Sequence, residues 1–462
     1  MTATAALLQL LLLKGVADST VSHLQPPPDP ALLRDVPIAG TDLQYLDSSS
    51  WQLSRSSNGG ASLSATVPGD VITDLQRASL VGDPWFENNF RNSSAWDRDW
   101  TYSRTFNDDS DSGSADDQRL LVLDGVKMGA KVALNGRHLG VVSDQFLRYV
   151  YHLAPGALRA AGNVLTVSFE RSINTHGRFM GCSGGWDWAP MSTTTTPSFG
   201  ETGAPSPTFS LGIWKSVYLV SVPAGGAAIT HVVPHVFYTG SHPVAPLAAG
   251  HHADFDVEVA IHLLASPSLK GTAHVVGSWG DAAKQNVLPK PVATAASGAA
   301  PLQLVESVQR LKLKATAKQV ELWWPNGMGK QPLYLLNVSF VPENSTNAAT
   351  TTAARRIGFR EFAYVTVNDT DPAIVAASSA SKVEGSGNHT AAWRVNGAIV
   401  FARGANVVPM EELEGRTSSA AIRAMMVSAA AGRMNTLRIW AGAIYFQRPF
   451  YEAADELGLV RS

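Results

Sequence analysis

The sequence predicts a mainly β protein of several domains, in which two β-sandwiches are followed by the start of a parallel α/β unit. Three observations support this prediction. Apolar and polar residues alternate with period two over much of the chain, as they do in half-buried strands. A helical period is found only after about residue 398. The length of 462 residues corresponds to roughly three domains.

The first region, from about residue 40 to 222, consists of short strands joined by turns. Alternating apolar residues over 63–67 and 165–169 indicate half-buried strands. Asn135-Gly136 follows an apolar run and predicts a hairpin, because both turn positions must tolerate positive φ. Since no amphipathic helix longer than two turns interrupts these strands, the region is predicted to be a sandwich or jelly roll.

A second β unit is predicted after the Pro- and Gly-rich segment 223–227, which breaks the strand pattern. Residues 255–263 show the clearest alternation in the chain, and residues 333–341 form another predicted strand. The unit has the size of an immunoglobulin-like sandwich. Low-complexity stretches around 291–300 and 346–354 are expected to be surface loops.

The last region changes from strand periodicity to helix periodicity. Residues 398–401 and 436–440 are predicted to be short apolar strands. Between them, apolar residues at helical spacing predict a helix that begins at Thr417 or Ser418 and ends at Gly432. The apolar face of this helix consists of Ile422, Met425, Met426, Ala429 and Ala430.

A second helix is predicted from Pro449, which suits a first helical turn, to Gly458, which suits a helix end. A third strand is expected to begin at Leu459. The succession of strand, helix, strand and helix is typical of a parallel α/β unit.

Composition excludes several classes of function. A net charge of −2 provides no basic surface for nucleic acid or for an anionic membrane. The single cysteine, Cys182, cannot form an internal disulfide. No stretch is long enough for a membrane span. His231 and His235 are four residues apart, but Pro234 and the β context deny them a common helix face, so neither metal nor cofactor is predicted.

The amino terminus favours the secretory pathway, with a lysosomal or extracellular destination. An apolar run over 5–13, followed by small residues at 15–17, resembles a signal peptide, which we predict for residues 1–17. Sequons for N-glycosylation agree with this location and occur at Asn92, Asn337, Asn344, Asn368 and Asn388.

Two motifs in a Gly-rich segment bear on chemistry. Ser183 lies in a Gly-x-Ser-x-Gly pattern, but no helix is predicted after it, so we interpret it as a loop residue and not as a hydrolase nucleophile. Trp186 and Asp187 suit a sugar, because an indole face packs on C–H groups and a carboxylate accepts hydrogen bonds from hydroxyls. The tryptophans interpreted instead as core residues are Trp85, Trp96, Trp100 and Trp214.

From about residue 40 to the end, the chain resembles the β-mannosidases of glycoside hydrolase family two, the animal lysosomal type included. The sequence Trp-Asp-Trp-Ala-Pro at 186–190 is similar to a loop typical of β-mannosidases. Leu-Trp-Trp-Pro-Asn-Gly at 322–327 is typical of the second domain of that family. The segments 404–409 and 435–440 look like the first two strands of its barrel.

This resemblance implies a jelly-roll sandwich, an immunoglobulin-like sandwich and the first βα units of a (β/α)₈ TIM barrel. The implied division is a galactose-binding-like jelly roll over 18–226, the second sandwich over 227–366, and a linker with a truncated barrel over 367–462. The implied activity is retaining exo-hydrolysis of terminal non-reducing β-D-mannose residues, in the breakdown of N-glycans.

Retaining hydrolysis needs two carboxylates about 5–5.5 Å apart. The family's acid/base is a Glu that follows Asn on a later barrel strand, and this sequence contains no Asn-Glu dipeptide. We therefore expect no catalytic residue in this chain. Four other carboxylates near the barrel strands are interpreted as surface charges of a loop and a helix, namely Glu411, Glu412, Glu452 and Glu456.

What the resemblance carries over is half of a sugar site for β-mannoside oligosaccharides. Trp186 and Asp187 would bind from the jelly roll. The residues expected at the carboxyl ends of barrel strands, or just after them, are Asn406, Arg438, Trp440 and Tyr445. Three alternatives remain open: a non-catalytic carbohydrate-binding protein, another glycosidase of the family (β-galactosidase, β-glucuronidase or endo-β-mannosidase type), and a truncated product that does not fold stably.

Overall fold

The computed structural model describes most of the chain between residues 30 and 461. The described residues are 30–55, 62–86, 89, 96, 99–109, 117–178, 180, 210–222, 225–266, 269–287, 304–343, 350–374, 392–440 and 444–461. Within these ranges, no helix is both long enough and apolar enough to span a bilayer.

The first β unit consists of antiparallel strands that form two sheets around one hydrophobic core. In chain order, its strands are β1 (Asp42–Tyr45), β2 (Ser48–Arg55), β3 (Leu63–Val67), β4 (Trp100–Phe106), β5 (Gln118–Leu123), β6 (Ala130–Leu134), β7 (Arg137–Val142), β8 (Tyr149–Leu153), β9 (Asn163–Phe169) and β10 (Val217–Val222). Among the described residues, the strand orders are β1-β10-β5-β8 and β3-β2-β4-β9-β6-β7. A short helix, α1 (Val71–Arg77), follows β3.

The predicted strands and hairpin of this unit are confirmed. In β9, the alternate residues Leu165, Val167 and Phe169 are buried, as their period of two requires. Asn135 and Gly136 join β6 to β7 with φ of 51° and 80°, values that favour Asn and Gly over other residues.

The tryptophans predicted to be core residues do lie in hydrophobic clusters. Trp96 and Trp100 are buried in the core of the first unit, and the half-buried Trp85 packs against the same core. Trp214 is buried in a separate cluster beneath the carboxy-terminal helices. Burial of these large rings against apolar neighbours accounts for part of the high tryptophan content.

The second β unit is a sandwich of two antiparallel sheets. Its strands are β11 (Ala227–Tyr238), β12 (Phe255–Ala265), β13 (Gly271–Gly277), β14 (Ala282–Val287), β15 (Val305–Ala315), β16 (Tyr334–Pro342) and β17 (Thr351–Ile357). The orders among the described residues are β11-β12-β15 and β14-β13-β16-β17. The inward residues of both sheets share one hydrophobic core. Strands predicted over 255–263 and 333–341 therefore correspond to β12 and β16.

The expectation of a loop over 346–354 is wrong for its last residues. Residues 351–354 begin β17, which pairs with β16, and Thr351 is buried with its hydroxyl donating to the carbonyl of Ala227. The Thr/Ala composition hid this strand, because its stability comes from pairing with the preceding strand β16 and not from a run of apolar side chains. The other expected loop, 291–300, lies outside the described residues.

A small antiparallel sheet links the second sandwich to the last region. Its strands are β18 (Phe362–Val365), β19 (Ala392–Val395) and β20 (Ala398–Val400), in that order. The prediction that residues 398–401 supply the first strand of the parallel unit is therefore wrong, since β20 pairs antiparallel with β19. The first parallel strand begins instead at Gly404, as the family motif implied.

The last region is a parallel α/β unit. It consists of β21 (Gly404–Val407), α2 (Ser419–Ala431), β22 (Thr436–Ile439), α3 (Arg448–Leu457) and β23 (Val460–Arg461). Both strand pairs are parallel. The predicted caps are confirmed: Ser418 accepts a hydrogen bond from the Ala421 N–H at the start of α2, and Gly458 ends α3 at φ 74°.

Candidate functional site

The carboxyl ends of the parallel strands place two predicted sugar-binding residues side by side. Asn406 in β21 and Arg438 in β22 are register partners. The Arg438 Nη1 donates to Asn406 Oδ1 over 3.1 Å, and both residues are exposed. The pair keeps further guanidinium and amide N–H groups, which are donors suited to sugar hydroxyls.

The loop after β22 carries the other two predicted residues. Trp440 is half-buried, and its backbone N–H donates to the Val407 carbonyl over 3.1 Å. Tyr445 is 68% exposed, and its ring meets Phe146 of the first β unit edge to face, with centroids 5.4 Å apart. The structure therefore joins the segment that follows β22 to the first β unit through an aromatic pair, with one ring from each unit.

The loop after β21 corrects the interpretation of two glutamates as surface charges. Glu412 is only 4% exposed, and Glu411 accepts hydrogen bonds from the backbone N–H groups of Glu412 and Leu413. Burial raises the pKa of Glu411. Both glutamates are shielded because the first β unit packs over this loop. By contrast, Glu452 and Glu456 on α3 are partly exposed and pair with arginines, as expected.

A buried ion pair joins this loop to the first β unit. Lys127 Nζ lies 2.7 Å from Glu414 Oε1, and the two side chains are 0% and 2% exposed. Ser210 links both charges, since its Oγ accepts from Lys127 over 2.7 Å and donates to Glu414 Oε2 over 2.8 Å. Gln145 Nε2 also donates to Glu414 Oε1, over 3.4 Å. Because both charges are removed from water, this contact defines how the loop sits on the β unit.

The amino terminus of α1 holds the same loop from a second direction. Asp70 caps the helix by accepting from the Thr73 N–H, and its other oxygen accepts from the Gly415 N–H over 2.7 Å. Asp74, one turn later, is buried beside Tyr102. Burial and the neighbouring charge of Asp70 raise the pKa of Asp74 to about 8.

Some predicted functional residues lie outside the described ranges, namely Trp186, Asp187, Cys182, Ser183 and the sequon residues Asn92, Asn344 and Asn388. The remaining sequon residues, Asn337 and Asn368, are exposed. His231 and His235 lie on β11, and no group of three potential metal ligands occurs among the residues that the structure describes.

The sequence did not indicate the residues that connect the first β unit to the segments after β21 and β22. Lys127 stands in the apolar context Gly-Val-Lys-Met-Gly, which was the one available indication of a buried cation. No comparable local pattern marks Glu414, Gln145 or Phe146 in the sequence. Their roles depend on contacts between residues up to 287 positions apart.

Comparison with known proteins identifies the relatives of this architecture. Residues 51–198 match the family model described as glycosyl hydrolase 2 galactose-binding domain-like. The β-mannosidase of Bos taurus is 25% identical over an aligned length of 443 positions, and the alignment covers 89% of this chain. The β-mannosidase B of Emericella nidulans is 24% identical over 423 residues.

The chain is a homologue of the β-mannosidases.

A solved β-mannosidase structure supports the same fold. The β-D-mannosidase of Dictyoglomus thermophilum aligns over 91% of this chain with a TM-score of 0.68 and 20% identity. The β-glucuronidase of Bifidobacterium dentium aligns with a TM-score of 0.58. The chain spans 44% of the length of the bovine β-mannosidase and 47% of the Dictyoglomus chain. The fold is thus shared by β-mannosidases and by enzymes that act on other sugars.

Proposed function

We propose that this chain forms part of a retaining exo-β-mannosidase that removes terminal non-reducing β-D-mannose from β-mannosides, including those derived from N-glycans. Homology to β-mannosidases over 89% of the chain is the observation that carries the proposal. Its strands β21–β23 would be the first of a (β/α)₈ barrel, whose active site lies at the carboxyl ends of the strands. The secretory location, the signal peptide over 1–17 and use of the sequons belong to the same proposal.

In this proposal, the chain supplies half of the sugar site and neither catalytic carboxylate. Asn406 and Arg438 would donate to hydroxyls of the terminal mannose, and Trp440 and Tyr445 would border it. Trp186 and Asp187 would bind from the first β unit. Trp186 and Asp187 belong to segment 181–209, and the described residues on both sides of it contact the parallel α/β unit or the loop after β21. Met180 is buried in one cluster with residues of that unit, and Ser210 hydrogen-bonds to Glu414.

Sugar titrations followed by tryptophan fluorescence test the proposal. We expect the 462-residue chain to bind methyl β-D-mannoside in preference to the β-galactoside and the β-glucuronide. Asp187→Ala should abolish binding, whereas Glu321→Ala, at an exposed ion pair far from the site, should not. A preference for another sugar would favour a different glycosidase of the family.

The variant Arg438→Ala separates an enzyme from a binding module. If the site spans both units, removal of the guanidinium should weaken mannoside binding about tenfold, which is the scale of one charge-assisted hydrogen bond. Unchanged affinity would indicate a carbohydrate-binding protein that uses the jelly roll alone. Turnover of an aryl β-mannoside by this chain, abolished by replacing one of its own carboxylates, would contradict the expected absence of catalytic residues.

A further inference from the structure

We propose that Phe146, in the loop between β7 and β8, is a sugar-contacting residue that selects for the second saccharide unit of the substrate. The inference rests on the proposed function and adds to it a residue that no sequence motif indicated.

Local hydrogen bonds fix the conformation of the loop over 143–148. The Tyr149 hydroxyl accepts hydrogen bonds from the backbone N–H groups of Ser143 and Asp144, over 3.0 and 2.9 Å. The Asp144 Oδ1 in turn accepts from the Phe146 N–H over 2.8 Å. This side-chain-to-backbone bond is an Asx-type turn, which restricts the backbone that carries the Phe146 ring.

The same loop is anchored to the barrel side by its neighbouring residue. Gln145 is 1% exposed, donates to Glu414 and accepts from the Met180 N–H over 2.6 Å. Its carbonyl accepts from the Trp214 indole N–H over 3.1 Å. Because Gln145 is hydrogen-bonded to Glu414, Met180 and Trp214, the position of the adjacent Phe146 is fixed relative to the loop after β21.

The half-buried ring of Phe146 forms an aromatic corner with Tyr445, in the segment that follows β22. It meets Tyr445 at an interplanar angle of 81°, so that two aromatic surfaces stand nearly at right angles. The polar pair Asn406–Arg438, at the carboxyl ends of the strands, suits the hydroxyl-rich terminal mannose. The aromatic corner is formed by residues of loops and not of strands, and its aromatic faces suit the C–H face of the next sugar.

Comparison of a monosaccharide with a disaccharide tests this assignment. The probes are methyl β-D-mannoside and β-1,4-mannobiose, each titrated against the full chain. Phe146→Ala should lower affinity for mannobiose about tenfold and leave affinity for methyl mannoside unchanged, which also shows that the variant is folded. Phe146→Tyr should retain the wild-type affinities. Leu147→Ala, at a neighbouring residue that is 54% exposed, is the matched control and should change neither.

The other outcomes distinguish the role of Phe146 from the proposed function. If the wild type binds both probes and Phe146→Ala binds them equally well, the inference is overturned and the proposed function stands. Equal losses for both probes overturn the assignment to the second sugar. If the wild type binds neither probe, the proposed function fails, and the role of Phe146 fails with it.

Discussion

At the scale of single residues, the pair Lys127–Glu414 is the contact most sensitive to change. Two opposite charges without solvent access stabilise each other, but each is costly when its partner is removed. Ser210 and Gln145 satisfy further hydrogen-bonding capacity around the pair. The pair therefore specifies how the first β unit docks on the loop after β21.

We expect Lys127→Met and Glu414→Gln each to lower the free energy of unfolding by about 3–5 kcal/mol, because each leaves a buried charge uncompensated. The double variant Lys127→Met/Glu414→Gln should cost less than the sum of the single effects. The exposed pair Lys330–Glu321 is the control and should contribute at most about 1 kcal/mol. Chemical denaturation measures these values, and additive effects at the buried pair would contradict the prediction.

Asp74 makes stability depend on pH. Its folded-state pKa of about 8 lies above the ordinary value of 3.8, so the native state keeps a proton that the unfolded state releases. Stability should therefore fall as pH rises from about 4 to about 8. Asp74→Asn removes this titration. The quantity to measure is the melting temperature of the wild type minus that of the variant, from about pH 4 to about pH 8. We expect this difference to decline as pH rises. A constant difference would refute the pKa shift of Asp74.

At the scale of elements, the two helices of the parallel unit end in different ways. Gly458, after α3, adopts φ 74°, and a Cβ there would meet the backbone nitrogen of Asn326. Gly432, after α2, adopts φ −72°, which any residue tolerates. The same residue type is thus required at one helix end and replaceable at the other.

We expect Gly458→Ala to lower stability by more than about 1 kcal/mol, since a left-handed conformation and a steric conflict add together. Gly432→Ala should change stability by less than about 0.5 kcal/mol. Thermal unfolding of the two variants side by side measures the difference. Similar effects at both positions would show that the left-handed cap does not matter.

At the scale of the whole molecule, the three regions are joined by side chains and do not merely follow one another. Val122 and Val220 of the first unit share a buried cluster with Leu264 of the second. The Trp323 indole donates to the Asp455 carbonyl of α3 over 2.8 Å. Asn326 donates to the carbonyls of Ala430 and Met434, at the end of α2. The Trp-Trp-Pro-Asn-Gly segment therefore connects the second sandwich to the parallel unit.

Removal of the Asn326 side chain should loosen the parallel unit selectively. Asn326→Ala leaves two helix-end carbonyls without this donor, at a cost of about 1–3 kcal/mol. We expect faster amide hydrogen exchange over 419–439 and unchanged exchange in β12. Thr352→Ala, at an exposed position of β17, is the control. Uniformly faster exchange throughout the chain would instead indicate that the regions unfold as one unit.

The sequence by itself determined the elements whose causes are local. Period-two alternation predicted β9 and β12, and Ser418 and Gly458 marked helix ends, because neighbouring residues decide strand faces and caps. The motifs also indicated the resemblance to β-mannosidases and singled out Asn406 and Arg438, whose pairing in register only the structure showed.

Only the tertiary structure decided which residues meet across the chain. It showed β17 in a Thr-rich segment, an antiparallel β20, and the burial of Glu412. It also joined Lys127 to Glu414 across 287 residues and set Phe146 beside Tyr445. The physical reason is that the burial of a charged side chain, ring contacts and ion pairing depend on residues elsewhere in the chain, and a local pattern contains no information about those partners.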